Sequence, residues 1–247
     1  MKRGLIMEGG AMRGLFTAGV IDVFMEKGIE FDGAIGVSAG AAFGCNYKSK
    51  QIGRVLRYNS KFCNDSRYSG FRSLFTSGDL YNKKLYDDGL PKRVDVFDME
   101  TYAANPMEFY VVCTNMDTGE PVYKRLDKFD DAELEWLRAS ASLPIVSTIV
   151  EQDGMKLSDG GTSDSVPLKY FESLGYDRNV VICTQPYGFR KEKLKPLWLI
   201  KLLLYKYPAL AKALEERYVM YNETMLMLDE RAKRGEIILI RPPEALN

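Results

Sequence analysis

Ser38 stands in the run Gly36-Val37-Ser38-Ala39-Gly40, directly after the stretch Phe31-Asp32-Gly33-Ala34-Ile35. A Gly-x-Ser-x-Gly run at the end of a strand is the pattern of a nucleophile elbow, a sharp strand-to-helix turn that exposes the serine hydroxyl. Serine attacks poorly until a base removes its proton, and histidine is the usual base. This chain has no histidine in its 247 residues. A base for Ser38 is therefore a carboxylate, a lysine or a water chain, and a triad built on histidine is excluded.

Two further segments have residue types that suit such chemistry. Gly9-Gly10-Ala11-Met12-Arg13-Gly14 lies between an expected strand and an expected helix. Glycines let backbone turn tightly, and the following helix start adds partial positive charge, so the loop can hold an oxyanion or a phosphate. Read alone, it is equally a plain strand-to-helix turn. It also sits where a dinucleotide fingerprint would, with Asp32 near the ribose-binding place. Against that, the third glycine place holds Ala11, and Ser38 follows at once in the next turn. The other segment, Ser158-Asp159-Gly160-Gly161, presents a carboxylate on a tight turn after a short apolar stretch. In isolation such a turn is commonly just solvated.

The elements that must position these groups alternate. Strands are expected at Arg3–Glu8, Phe31–Val37, Glu108–Asn115, Pro121–Arg125, Val146–Val150, Met155–Leu157, Asn179–Thr184 and Glu236–Ile240. Helical spacing covers Met12–Lys27, closed by Gly28, then about 39–63, Asp130–Ser142, and a long region between the last two strands that includes Glu215–Arg234. Residues 64–78 look like a loop rich in Gly, Ser and Asn. The alternation implies an α/β layered fold around a mainly parallel sheet. At 247 residues the chain fits a single domain, 1–247.

Composition narrows the function further. Lys plus Arg and Asp plus Glu are 34 each, so zero net charge gives no reason to expect nucleic-acid binding. The four cysteines have no Cys-x-x-Cys spacing and there is no histidine, which argues against a structural zinc site and suits free thiols in a reducing compartment. The short apolar run at the N-terminus does not suit a signal peptide, and no segment reaches the roughly 20 apolar residues of a membrane span. A cytoplasmic protein is expected.

Taken together and in this order, the glycine loop, the serine elbow and the Asp-Gly-Gly turn resemble the patatin-like phospholipase family. The resemblance covers about residues 4–172. It is supported by Ser140-Ala141-Ser142-Leu143-Pro144 and by Pro167 after the Asp-Gly-Gly turn. It implies a patatin-like fold with helices on both sheet faces, residues 173–247 adding strands and helices to the same domain. It also implies a Ser–Asp dyad, with Ser38 as nucleophile and Asp159 as proton acceptor. Gly9, Gly10 and Ala11 would form the oxyanion hole, and no metal or organic cofactor is implied. The family often has Asp and Gly where this chain has Glu8 and Ala11; Ala11 is tolerated if its φ is not positive. Arg13 is either a contact to a substrate phosphate or a structural ion pair. The implied activity is hydrolysis of a phospholipid, lysophospholipid or other acyl ester. Acyl transfer, thioester cleavage and a non-catalytic nucleotide- or lipid-binding role remain as alternatives.

Two apolar regions bear on the substrate. Residues 190–206 hold six basic residues and one acidic residue around Leu197-Trp198-Leu199-Ile200 and Leu202-Leu203-Leu204-Tyr205. The segment reads either as an interfacial helix on anionic lipid or as a core helix over the sheet. Phe71-Arg72-Ser73-Leu74-Phe75 reads as part of an acyl channel or lid, or as a loop anchor. Met220, Met225 and Met227 read as core filling.

Overall fold

The computed structural model describes residues 1–62 and 95–246. The expected loop at 64–78 and the Phe71–Phe75 cluster lie outside the described residues. β1 (Lys2–Met7), β2 (Gly33–Val37) and β3 (Glu108–Asn115) lie side by side in parallel. β7 (Tyr176–Ile182) pairs with the other edge of β1, and β8 (Ile237–Ile240) pairs with β7, again in parallel. β4 (Pro121–Leu126), β5 (Val150–Gln152) and β6 (Met155–Asp159) are antiparallel additions around β3. The result is a mixed, mainly parallel sheet of eight strands in an α/β fold, as the alternation implied.

Side chains on successive strand residues point to opposite faces, and the sequence uses both. Leu5, Met7, Ala34, Val111 and Cys113 enter one core with Ile21, Tyr102 and Trp136. Ile6, Ile35, Val37, Val112 and Val181 enter the other with Phe171, Tyr221 and Met225. Helices therefore cover both faces. α1 (Gly14–Glu26), α2 (Ala39–Lys48), α3 (Arg54–Phe62), α4 (Met99–Ala104) and α5 (Asp131–Ser140) follow in chain order. α6 (Leu168–Ser173), α7 (Leu197–Leu203) and α8 (Pro208–Lys233) complete the set. Local chemistry explains several ends. Gly28 takes the left-handed φ of 63° that closes the α1 turn. Asp130 caps α5 by accepting the Glu133 N–H, and Pro208 opens α8 at a position where no N–H partner is needed.

Two expectations are corrected, and the dinucleotide reading that the sequence already counted against is set aside. Residues 146–149 are not strand: the chain turns at Ile145, whose φ is 74°, with Ser147 N–H on the Leu143 carbonyl, and pairing begins only at Val150. The region between β7 and β8 is not one helix, because residues 185–196 are irregular ahead of α7. Asp32 precedes β2, at the end of the sheet opposite Gly9 and Gly10, and its carboxylate accepts the Arg3 backbone N–H at 2.6 Å and pairs with the Arg3 guanidinium at 3.3 Å. A dinucleotide-type acid would stand at the other end of that strand.

The β3 register is what later brings the site together. β4 pairs along one edge of β3, over Phe109–Thr114. Along the other edge β2 ends with Val37 opposite Val112, and β6 takes over with Asp159 opposite Cys113. The residue after Val37 and the last residue of β6 thus meet over the end of β2. α2 starts at that point in close contact with β1. A Cβ on Gly40 would fall 2.3 Å from the Met7 carbonyl oxygen and 2.7 Å from that of Glu8. Gly40→Ala should therefore lower stability by about 2 kcal/mol, as overpacking does. Thermal unfolding by circular dichroism should show a Tm lower by roughly 6 °C for a protein of this size.

Candidate active site

Ser38 has φ 54° and ψ −122°, a left-handed conformation that a side chain rarely adopts. It sits between the end of β2 and the first residue of α2, so the elbow expected from the Gly-x-Ser-x-Gly run is present. The strain is held by neighbours. The Ser38 N–H donates to Ser140 Oγ at 2.9 Å, and Ser140 Oγ donates to the Val112 carbonyl at 2.6 Å. The Ser38 carbonyl accepts the N–H groups of Ala41 and Ala42, starting α2.

Asp159 closes β6 with its side chain turned into the same region. It is buried at 3 % exposure. Its Oδ1 accepts the Gly161 N–H at 2.8 Å, while Oδ2 is enclosed with no hydrogen-bond partner. The backbone is fixed from two sides: Asp159 N–H donates to the Ser142 carbonyl at 2.7 Å, and Thr114 Oγ1 donates to the Asp159 carbonyl at 2.8 Å. Ser140 and Ser142, in the supporting segment noted in the sequence, therefore bind the elbow and the Asp turn respectively. Burial pushes the Asp159 carboxyl above its ordinary value. The Ser38 hydroxyl, the Arg217 guanidinium, the Gly161 N–H and Lys191 act in the opposite direction.

The glycine loop lies against the elbow. A Cβ on Gly9 would stand 2.9 Å from Ser38 Cβ, and one on Gly10 would stand 2.5 Å from Thr184 Oγ1, so neither place admits a side chain without displacement. Thr184 Oγ1 donates to the Gly9 carbonyl at 2.9 Å. Glu8, just before the loop, is buried and takes two donors, the Thr184 N–H at 2.6 Å and the Tyr221 hydroxyl at 2.8 Å. Ala11 departs from expectation. Its φ is +49°, a conformation in which a Cβ costs about 1 kcal/mol relative to glycine. The condition under which alanine would sit there unstrained is not met.

Ser38, Asp159, Gly9, Gly10, Ala11 and Arg13 line one cavity of about 290 Å³. All six residues singled out in the sequence therefore share one space. Arg13 has no ion-pair partner among the described residues, and its Nε is buried without a hydrogen bond. Arg138, Lys191 and Arg217, which no motif marks, line the same cavity. Arg138 is held by Glu135 through Nε and Nη2, leaving Nη1 buried without a partner. Lys191 lies over the Tyr221 ring, 3.6 Å from its centroid. Burial and the nearby Arg217 charge bring its amine down to about 7. Lys191 and Arg217 belong to the stretch after β7 and to α8, far along the chain from the motifs, so only their place in space finds them, whereas Arg138 sits in α5 just ahead of the Ser140–Pro144 segment.

The chain is 28% identical over 261 residues to the uncharacterized protein YjjU of Escherichia coli (strain K12), covering 98% of this chain and 69% of that one. It is 25% identical over 187 residues to lysophospholipase nte1 of Aspergillus oryzae, covering 70% of this chain. It spans 11% of the length of that fungal protein. A solved structure, VipD from Legionella pneumophila, aligns over 77% of this chain and 51% of its own at 14% identity with a TM-score of 0.39. A domain of unknown function (DUF6363) matches residues 207–247. The patatin-like phospholipase model matches residues 5–172, well over half of the chain, and the chain belongs to that family.

Proposed function

We propose that this chain is a serine acyl-ester hydrolase, acting on phospholipids or lysophospholipids through Ser38 and Asp159. The observation that carries the reading is the pairing of a strained serine with a buried carboxylate that has one unpartnered oxygen, in a single cavity. In this chemistry Ser38 Oγ attacks the ester carbonyl carbon while Asp159 takes the hydroxyl proton. The tetrahedral oxyanion is met by N–H groups of the Gly9-Gly10-Ala11 loop, worth on the order of 3 kcal/mol for each well-aimed donor. The carbon–oxygen bond to the alcohol breaks, and Asp159 returns the proton to the leaving oxygen. Water then attacks the acyl-serine as Asp159 accepts its proton. The fatty acid leaves, and the proton goes back to Ser38.

Four cationic side chains on the cavity wall, Arg13, Arg138, Lys191 and Arg217, favour an ester that carries an anionic phosphate. The two unpartnered guanidinium nitrogens, Arg13 Nε and Arg138 Nη1, suit such a group. The surface at α7 supports contact with a membrane. Trp198 is 68% exposed and Leu202 60%, no residue of α7 is buried, and Lys193, Lys195, Lys201 and Lys206 stand around it. An exposed tryptophan and leucines flanked by lysines suit an anionic lipid surface. No helix among the described residues is long and apolar enough to cross a membrane. A cytoplasmic enzyme that docks on membranes fits these features.

A fluorophosphonate probe followed by intact-mass measurement should give one adduct on the wild-type protein and none on Ser38→Ala. Asp159→Asn should lower ester turnover at least 1000-fold without changing the far-ultraviolet spectrum. Wild-type turnover by Asp159→Asn would remove the dyad from the mechanism. An acyl product on an added alcohol, or faster cleavage of a thioester, would move the reading to acyl transfer or thioesterase action. A folded protein that binds nucleotide or lipid and never labels would be a binding protein.

Two pH effects follow from the site. The base must be ionised to accept a proton, so turnover should fall on the acid side above the ordinary carboxylate value of about 3.9, because burial raises the Asp159 carboxyl. Lys191 is a cation below about 7 and neutral above it. The KM for an anionic phospholipid should therefore rise as pH passes that point, and Lys191→Met should flatten the rise. For the membrane surface, co-sedimentation with phosphatidylglycerol vesicles should be strong at low salt. The double variant Trp198→Ala, Leu202→Ala should lose most of it.

A further inference from the structure

Given the Ser38–Asp159 chemistry proposed above, on which this inference rests, we propose that the C-terminal helix α8 supplies two positioning residues, Arg217 and Tyr221, that hold the Asp turn and the glycine loop in register. The two residues are four apart in sequence and so lie on one helix face. Arg217 Nε donates to the Gly161 carbonyl at 2.6 Å. Gly161 in turn donates its N–H to Asp159 Oδ1 at 2.8 Å. Tyr221 is fully buried, and its hydroxyl donates to Glu8 Oε1 at 2.8 Å. Glu8 Oε2 accepts the Thr184 N–H, and Thr184 Oγ1 donates to the Gly9 carbonyl. One helix face therefore reaches the carboxylate turn through one bond and the loop beside Ser38 through another.

The same face continues into the core with Met225 and Leu228, both fully buried, so the helix is fixed where it must be to aim those two side chains. β8, which follows α8, pairs with β7 and anchors the far end of the segment in the sheet. Residues 207–247 thus belong to the working site of residues 5–172 although two separate family models match them.

The charge of Arg217 adds a second consequence. The groups acting on Asp159 are Arg217 from α8, Lys191 from the stretch after β7, the Ser38 hydroxyl from the elbow and the Gly161 N–H from its own turn; the Cys113 thiol faces it across the strand pair, its own proton held more tightly by burial and by the Asp159 charge. Taking away Arg217 removes a cation that favours the ionised carboxylate, so the acid limb of activity moves to higher pH.

The test uses the full chain, a p-nitrophenyl acyl ester and a fluorophosphonate probe, each followed from pH 4 to 9. Arg217→Gln should lower kcat and the labelling rate about tenfold with KM within twofold, and move the acid limb upward. Arg217→Lys keeps the charge and lacks the Nε–H bond, so it should restore the acid limb and only part of the rate. Tyr221→Phe should slow labelling with the acid limb in place. A folded Arg217→Gln with the wild-type rate and pH limb would overturn the proposal. If that variant does not fold, Arg217→Lys decides: the wild-type rate at every pH would overturn the positioning role. A wild-type protein that neither labels nor turns over would instead overturn the hydrolase reading and this inference with it.

Discussion

A carboxylate taken out of water must find donors or lose its charge, and Asp159 is the buried carboxylate around which this sheet is arranged. Only one of its oxygens is satisfied, by a backbone N–H two residues on. The other is left open inside a cavity that also holds Ser38. The balance between desolvation on one side and Ser38, Arg217, Gly161 and Lys191 on the other sets how basic that oxygen is. A fully paired aspartate would be a weak base, and an exposed one would be ionised at almost any pH and little inclined to take a proton. Partial pairing in a buried place lies between those limits. In a chain with no histidine, it is one of the few ways a neutral-pH base for serine can be made.

That balance requires rigid placement, which the backbone supplies. β2 and β6 share one edge of β3, so Val37 and Asp159 are paired with the neighbouring residues Val112 and Cys113. The distance between the elbow and the carboxylate is thus fixed by strand register, and a one-residue slip would turn every side chain of the strand to the opposite face. Ser140 and Ser142 repeat the same linkage from the end of α5, one on the Ser38 N–H and one on the Asp159 N–H. The strained φ of Ser38 persists because these bonds and the close packing of Gly40 on β1 leave it no relaxed alternative.

The parts legible in the sequence are those whose geometry is decided within a few residues. The elbow needs its two glycines and the strand before it, the Asp turn needs Gly160 and Gly161, and the loop needs Gly9 and Gly10, so each left a local mark. Ile145 hid its turn because its left-handed φ has no sequence signal in a β-branched residue. The 197–203 helix could not be assigned to core or surface, since apolar residues occupy nearly every face; only packing shows that Trp198 and Leu202 stay outside. Arg217 and Tyr221 were illegible for another reason. Their partners are 56 and 213 residues away, and an arginine or tyrosine on a mixed helix face looks like any other.

The same distance in sequence explains why the cavity is cationic. A pocket at the carboxyl ends of parallel strands is walled by whatever follows each strand. After β1 comes Arg13, after β7 comes Lys191, and α8 crosses over with Arg217. Each contributes one cation, and the buried acids Glu8 and Asp159 stand among them. Burial first, and then the Arg217 and Arg13 charges, bring the Lys191 amine down to about 7 even though both acids act the other way. Such crowding of like charge is unfavourable in the empty cavity and is relieved when an anion enters. On the proposed reading, a negative group beside the ester that Ser38 would attack completes this wall.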